Sequence, residues 1–314
     1  MKNINNFRNV KGYINKDNKK LKANMIFRGG ALNRLIPDEI NYFEKKLNIR
    51  YVLDFRDQNE AEKDPDIIGN RINYERISAL QLQDERFQGF DFGKELSKNL
   101  SLTQIDYLSQ YLLDGYKNMP FNNKAFDKLF KLLLKNDGSV YYHCSAGKDR
   151  TGIATFLIMM ALDMNEEDAI NEYLLSNKYL KNFIDQFYLE HNVSKEFQKL
   201  ADKLLYVREE NILLAINAIK CKYQSYDDYF EKEYNLTKEK IEEAMAKFMN
   251  ENGEELFVFL ITDIIGNNSQ VIALGKQNVV EKAFDVKLEN NTAFLSGVVS
   301  RKKQVIPRID CFIG

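Results

Sequence analysis

Between Ser139 and Leu162 a strand signal, a tight loop and an apolar helix follow one another without a break. Ser139–His143 (SVYYH) is β-branched and aromatic, and the KNDG stretch at 135–138 before it is a turn. Ile153–Leu162 is apolar except for Thr155. That run falls short of the roughly 20 residues a membrane span needs, so it predicts a buried helix. The stretch between them, His143-Cys144-Ser145-Ala146-Gly147-Lys148-Asp149-Arg150-Thr151-Gly152, must leave a strand and enter a helix within a few residues. Few folds offer that corner. It commits this part of the chain to a sheet packed with helices.

The flanking pattern agrees. Pro37–Leu47 predicts a helix with proline at its start, and Arg50–Phe55 (RYVLDF) a short buried strand. Thr103–Leu134 holds two helical patterns split near Pro120. Helical spacing returns at 151–163, 166–175, 195–206, 208–222 and 237–250. The expected fold class is therefore α/β, a mixed sheet packed with helices, with a helix-rich second half. Near residue 252 the pattern changes to strands at Leu256–Ile261, Gln270–Leu274 and Thr292–Leu295. No Gly/Ser/Pro linker marks the change. The expected division is a domain over 1–243 and a small α/β segment over 244–314, joined within a charged helix.

Composition narrows the function classes. The 314 residues carry 45 basic and 46 acidic side chains, without the basic excess of a general nucleic-acid binder. Three cysteines (Cys144, Cys221, Cys311) are no disulfide framework. Two histidines (His143, His191) are too few for a His-rich metal site, and neither metal nor cofactor is expected. The N-terminal stretch lacks the apolar core of a signal peptide, and no segment is expected to enter the membrane, so the expected location is the cytoplasm.

The loop carries the chemistry. A cysteine and an arginine at this spacing can close around one tetrahedral oxyanion. Backbone N–H groups from Ser145 through Ala146, Gly147, Lys148 and Asp149 to Arg150 form an anion-binding nest. The helix that follows aims its positive end at the same point. Arg150 adds a planar fork that holds two phosphate oxygens. The same field acts on Cys144, since a free thiol near 8.5 falls to roughly 3.5–7.5 at a helix N-terminus beside cations. Thr151 is placed to offer its hydroxyl to the thiolate, His143 to brace the loop, and Gly147 to admit close backbone. A buried inert cysteine beside a turn is the bland alternative. The strand–loop–helix context and the arginine at the right offset weigh against it.

The decapeptide resembles the signature of cysteine-dependent protein tyrosine phosphatases, in the bacterial tyrosine/dual-specificity branch that includes phosphoinositide phosphatases. Asn6-Phe7-Arg8-Asn9, Phe27-Arg28-Gly29-Gly30-Ala31-Leu32, Leu53-Asp54-Phe55-Arg56 with Glu60, and Tyr173-Leu174-Leu175-Ser176-Asn177 are similar to further segments of that branch. Asn9, Lys11 and Gly29 depart from its pattern. The resemblance implies a phosphocysteine intermediate on Cys144, charge stabilisation by Arg150, and a phosphorylated protein or phosphoinositide as partner. It points to Asp149 as general acid, with Asp54, Asp57, Asp84 and Asp91 as rivals, and to Asp54 as a supporting residue at the strand end. It places Lys148 at the loop rim, where its charge would favour phosphoinositides. Two other classes remain: a catalytically dead phosphate-binding module, and another thiol enzyme on the same loop. The intact Cys144 and Arg150 weigh against the first; Thr151 and the lack of a nearby second cysteine weigh against the second.

The C-terminal segment resembles a second family. Ala244–Lys247, Glu254–Phe257, Thr262–Ile264 and Ser300-Arg301-Lys302-Lys303-Gln304-Val305-Ile306-Pro307 are similar to the C-terminal half of the substrate-binding domain of manganese-dependent inorganic pyrophosphatases. The resemblance implies an anion site at Arg301 and Lys302. That family's metal site lies in an N-terminal domain rich in Asp and His, which two histidines cannot build. The expectation is a half-domain without that activity.

Overall fold

The three central strands of the sheet are its buried ones. In the computed structural model, which describes residues 1–80, 102–135 and 137–250 and the strand backbones between 257 and 313, β6 (Ser139–His143) is buried at every position. It lies at the centre of a five-stranded sheet. β3 (Ile26–Gly29) pairs parallel on one side and β4 (Ile49–Asp54) on the other. β1 (Arg8–Asn9) closes one edge antiparallel to β3, and β5 (Asn73–Arg76) closes the other parallel to β4. β2 (Lys20–Leu21) lies outside this sheet. The register puts Gly29, His143 and Asp54 side by side at the carboxyl ends of the three central strands. In an open α/β sheet that edge is where ligands bind.

Helices cover the sheet: α1 (Pro37–Lys45), α2 (Gln58–Lys63), α3 (Leu102–Asn118), α4 (Lys124–Lys135), α5 (Asp149–Ala161), α6 (Glu166–Glu190), α7 (Lys195–Leu205), α8 (Glu209–Lys222), α9 (Tyr226–Tyr234) and α10 (Lys238–Phe248). Residues Arg150–Met160 of α5 are all buried, as a helix apolar on every side must be. α5 packs in the main core with Tyr142, Phe126, Tyr173 and Ile216. Tyr142 and Thr155 join their hydroxyls at 2.8 Å and tie the helix to β6. A second cluster joins α3 (Ile105, Leu108), the far half of α6 (Leu180, Ile184, Tyr188) and α7 (Ala201, Leu204), with Ala146 of the loop packed against it.

Several elements depart from the sequence expectation. α6 runs on to Glu190 because Leu180, Ile184 and Tyr188 repeat every four residues and bury in that second cluster. α9 lacks a clear apolar period in the sequence, since its buried face is built largely from tyrosines such as Tyr229 and Tyr234. β1, β2 and β3 are too short to show alternation. The first compact unit runs to Asn250: α10 lies in it, and β7 (Met249–Asn250) pairs antiparallel with β2. Gly29, a departure from the family pattern, leaves room for the Tyr141 hydroxyl, which a Cβ there would approach to 2.6 Å.

The second unit spans Glu251–Gly314. Its described backbone is β8 (Phe257–Thr262) flanked antiparallel by β9 (Ser269–Gly275) and by the last strand, β14 (Asp310–Ile313). Two short antiparallel pairs accompany it: β10 (Leu288–Glu289) with β11 (Thr292–Ala293), and β12 (Val299–Arg301) with β13 (Gln304–Ile306).

Candidate active site

The loop from Cys144 to Lys148 leaves β6 at the strand-end edge and runs into α5. Its carbonyls are held from behind. Ala31 N–H donates to Ser145 O at 3.1 Å. Asn6 Nδ2 and Arg28 Nη2 donate to Gly147 O at 2.7 and 2.8 Å. A trans peptide sets its C=O and the next N–H on opposite sides. Binding Ser145 O and Gly147 O from behind therefore turns the N–H groups of Ala146 and Lys148 toward the concave face. Gly147 has φ +69°, and a Cβ there would collide with the Gly29 backbone. Only glycine fits both requirements.

Cys144 sits at the floor, 2 % exposed. Burial pushes its thiol up, but the Arg150 charge and hydrogen bonds from Thr151 outweigh burial and hold it below the ordinary range. The Thr151 hydroxyl is buried with no oxygen or nitrogen partner, and it favours the thiolate of Cys144.

Arg150 is aimed by Glu60. Its Nη1 donates to Glu60 Oε2 at 2.5 Å and its Nη2 to Glu60 Oε1 at 2.7 Å. Nη1 also reaches Phe55 O at 3.4 Å. Nη2 also reaches Ser145 Oγ at 3.4 Å, and Nε–H beside Nη2–H forms an edge of the spacing that phosphate oxygens need. Glu60 is itself fixed as the third residue of α2. It accepts from the Asp57 N–H while the Asp57 side chain accepts from the Glu60 N–H, a capping box. Ser145 Oγ donates to Glu60 Oε1 at 2.6 Å. Burial pushes the Glu60 carboxyl up, yet the Arg150 charge and these donors hold it near about 2.

Asp149 opens α5, and its Oδ1 accepts from the Tyr116 hydroxyl at 2.5 Å. Tyr116 in turn meets the Tyr173 hydroxyl at 2.6 Å. Tyr173 reaches that position because residue 152 is glycine; a Cβ there would lie 2.5 Å from its ring. Lys148 differs from expectation. It is 8 % exposed, donates to Leu204 O of α7 at 2.6 Å, and lies 3.1 Å from Asp149 Oδ2. It is a brace between the loop and α7, not a flexible charge on the rim.

The rival acids separate clearly. Asp54 is fully buried and accepts from Arg56 Nε, Arg56 Nη2 and the Tyr74 hydroxyl, so it cannot reach a leaving group. Asp57 serves as the α2 cap. Asp84 and Asp91 lie outside the described residues. His143 stands behind the loop, with Nδ1 3.2 Å from Cys144 O and Nε2 3.1 Å from Asp66 Oδ2. Burial lowers its pKa, but Asp66 and Asp54 outweigh burial and raise it. Asp54, Asp66 and His143 bring ligand-type atoms within 4.8 Å of one another. Arg56 already supplies a cation there, donating to Asp54 and to Asp66 at 2.8 Å. Arg301 ends β12, its side chain outside the described structure, and Lys302 lies outside the described residues.

Sequence reasoning singled out Cys144, Arg150, Asp149, Thr151 and His143, and the fold gathers all five at one strand end. It assigned no role to Tyr116, Asp66 or Glu172. Tyr116 and Asp66 reach the site through tertiary packing and leave no local signal.

The pattern of the tyrosine phosphatase family matches residues 1–250, and the chain belongs to that family. It is a cysteine-based phosphatase. A second pattern, the DHHA2 domain, matches residues 195–311. Probable manganese-dependent inorganic pyrophosphatases of Bacillus cereus (strain B4264) and Bacillus anthracis (strain CDC 684 / NRRL 3495) are 54% and 53% identical over 68 residues. That match takes in 21% of this chain and 22% of each relative, so the chain spans about a fifth of the length of these curated relatives. Among solved structures, PTPMT1 in complex with PI(5)P is 13% identical, with 53% of this chain and 94% of that one covered and a TM-score of 0.26. P. aeruginosa TpbA in complex with pTyr is 12% identical, with 64% and 91% covered and a TM-score of 0.25. No helix among the described residues is long and apolar enough to cross a membrane.

Proposed function

We propose that the chain hydrolyses aryl phosphate monoesters, phosphotyrosine in proteins first among them, through a phosphocysteine intermediate. The observation that carries this reading is the convergence of a low-pKa Cys144 thiol with an Arg150 guanidinium that Glu60 grips end-on by its terminal nitrogens. The burial of Cys144 supports the aromatic substrate, since a phosphoryl group on a tyrosine ring reaches further than one on a serine or threonine side chain.

In the first step Cys144 Sγ attacks phosphorus, and the P–S bond forms as the P–O bond to the phenol breaks. The Arg150 edge and the N–H groups of Ala146 and Lys148 hold the equatorial oxygens as charge redistributes. Asp149 gives its proton to the departing oxygen. The carboxylate so formed has the Tyr116 hydroxyl and the Lys148 ammonium beside it. In the second step Asp149 takes a proton from water as that water attacks phosphorus, and inorganic phosphate leaves with the thiolate restored. Lys148 is engaged by Leu204 O and Asp149, so the rim charge expected to favour phosphoinositides is absent from this reading.

Hydrolysis of p-nitrophenyl phosphate by wild type and by Cys144→Ser tests the proposal. The serine variant should retain binding of inorganic tungstate and lose turnover. Turnover near the wild-type rate would remove the covalent mechanism.

A further inference from the structure

Behind the loop lies a closed ring of hydrogen bonds that no step above uses. Gly147 O accepts from Asn6 Nδ2 and from Arg28 Nη2. Arg28 Nη1 donates to Glu172 Oε2 at 2.6 Å, and Arg8 Nε donates to Glu172 Oε1 at 2.6 Å. Arg8 Nη1 returns to Asn6, donating to its carbonyl at 3.2 Å and to its Oδ1. Asn6, Arg8, Arg28 and Glu172 are all buried, with Arg28 at 0% exposure and Glu172 at 1%. The ring thus links β1, β3 and α6 to one carbonyl of the phosphate loop.

Glu172 is the carboxylate of this ring. Two guanidiniums share it. Burial and the Arg8 charge pull the Arg28 guanidinium below its ordinary value, and Glu172 opposes them. Without Glu172 the two arginines would repel each other in a dry setting, where an unpaired charge is costly. Arg28 would keep only its bond to Gly147 O, and Arg8 only its bonds to Glu172 O, Ser176 Oγ and Asn6, so both would shift, and Arg8 is what fixes the Asn6 side chain. Both donors to Gly147 O depend on the same carboxylate. Because Gly147 O and Lys148 N–H lie on opposite sides of one peptide plane, the aim of that N–H depends on it too.

We propose that Glu172 is a positioning residue of the phosphate loop. Through Arg28 and Arg8 it holds the Gly147–Lys148 peptide with its N–H toward the substrate phosphoryl group. The proposal rests on the reading of the loop as an oxyanion cradle, and it concerns binding of the oxyanion as much as turnover.

The test compares the full-length wild type with Glu172→Gln, Glu172→Asp and Asn6→Gly. Three readouts are taken: affinity for inorganic tungstate, kcat/KM on p-nitrophenyl phosphate, and the rate of Cys144 alkylation by iodoacetamide. Glu172→Gln is expected to weaken tungstate binding and kcat/KM together by about tenfold to a hundredfold, less than deleting an oxyanion donor outright. Cys144 alkylation should stay within about twofold, because Arg150 and Thr151 set the thiol. Glu172→Asp should recover part of the loss. Asn6 has φ +56°, so glycine replaces it without backbone strain. That variant removes one of the two donors to Gly147 O and should weaken tungstate binding by about tenfold, even if the Glu172 variants fail to fold. Wild-type tungstate affinity in a folded Glu172→Gln or in Asn6→Gly would overturn the proposal. Tungstate binding that follows the ring while the wild type shows no Cys144-dependent turnover would defeat the mechanism and leave Glu172's role standing.

Discussion

Glu60 and Glu172 flank the same loop, both pair with arginine, and they leave that arginine in different states. Glu60 grips the two terminal nitrogens of Arg150 end-on and leaves the Nε edge facing the cradle. Glu172 takes Arg28 Nη1 and Gly147 O takes Nη2, while the buried Nε has no hydrogen-bond partner, so both terminal nitrogens of Arg28 are spent on protein groups. Glu60 lies on a short helix at the surface side of the site, its side chain 21% exposed; Glu172 lies inside, against α5. The same ion pair therefore does two jobs. In front it presents a charged fork to a ligand, and behind it shapes the backbone that meets the same ligand. A paired arginine is not by itself a binding residue; which edge its carboxylate leaves open decides.

The sharpest way to break this comparison is Glu60→Gln. The neutral amide cannot accept from both guanidinium nitrogens, so the fork loses its aim. kcat/KM on p-nitrophenyl phosphate should fall by about a hundredfold to a thousandfold, more than for Glu172→Gln, since the guanidinium touches the transferring group itself. Steady-state kinetics of the two variants side by side decide it, and the reverse ranking would invert the assignment. The pair also has a pH signature. Glu60 is lowered from 4.5 to about 2. A depressed carboxyl adds stability that is complete above its unfolded value and lost as pH falls through the folded one. The stability difference between wild type and Glu60→Gln should therefore be full above pH 4.5 and shrink toward pH 2, read by denaturant unfolding across that range.

A smaller effect is expected from Thr151→Val, which keeps the shape and removes the hydroxyl that faces the thiolate. A donor to a thiolate lowers its pKa, so its loss raises the pKa. The pH profile of Cys144 alkylation by iodoacetamide should move to higher pH, with kcat/KM following on its acid limb. An unmoved profile would mean that Arg150 alone sets the thiol.

The smallest difference concerns Lys148→Ala. Its ammonium braces Leu204 O and Asp149, so its loss should lower activity on an aryl phosphate and on a phosphoinositide by similar factors. A selective loss on the phosphoinositide would restore Lys148 as a headgroup contact.

The loop was legible because its chemistry is local: Cys144, Arg150 and Thr151 lie within eight residues and need only a strand before and a helix after. The long helix α5 was legible for its apolar run. The braces were not. Glu60, Arg28 and Asn6 stood in short segments that resemble the family, yet nothing in those segments says that Glu60 meets Arg150 or that Asn6 meets Gly147. Such pairs arise from parallel strand register and from glycines at 29, 147 and 152 that let backbone and rings approach. Lys148 was misplaced for the same reason. A lysine in a loop reads as exposed until α7 is known to end above it.

The central claim is that Cys144 carries the phosphoryl group. Wild-type protein mixed with a ³²P-labelled aryl phosphate and quenched in acid within the first turnover should hold label on the peptide that contains Cys144, and Cys144→Ser should hold none. Turnover by the wild type with no label on Cys144, or label on another residue, would contradict the account.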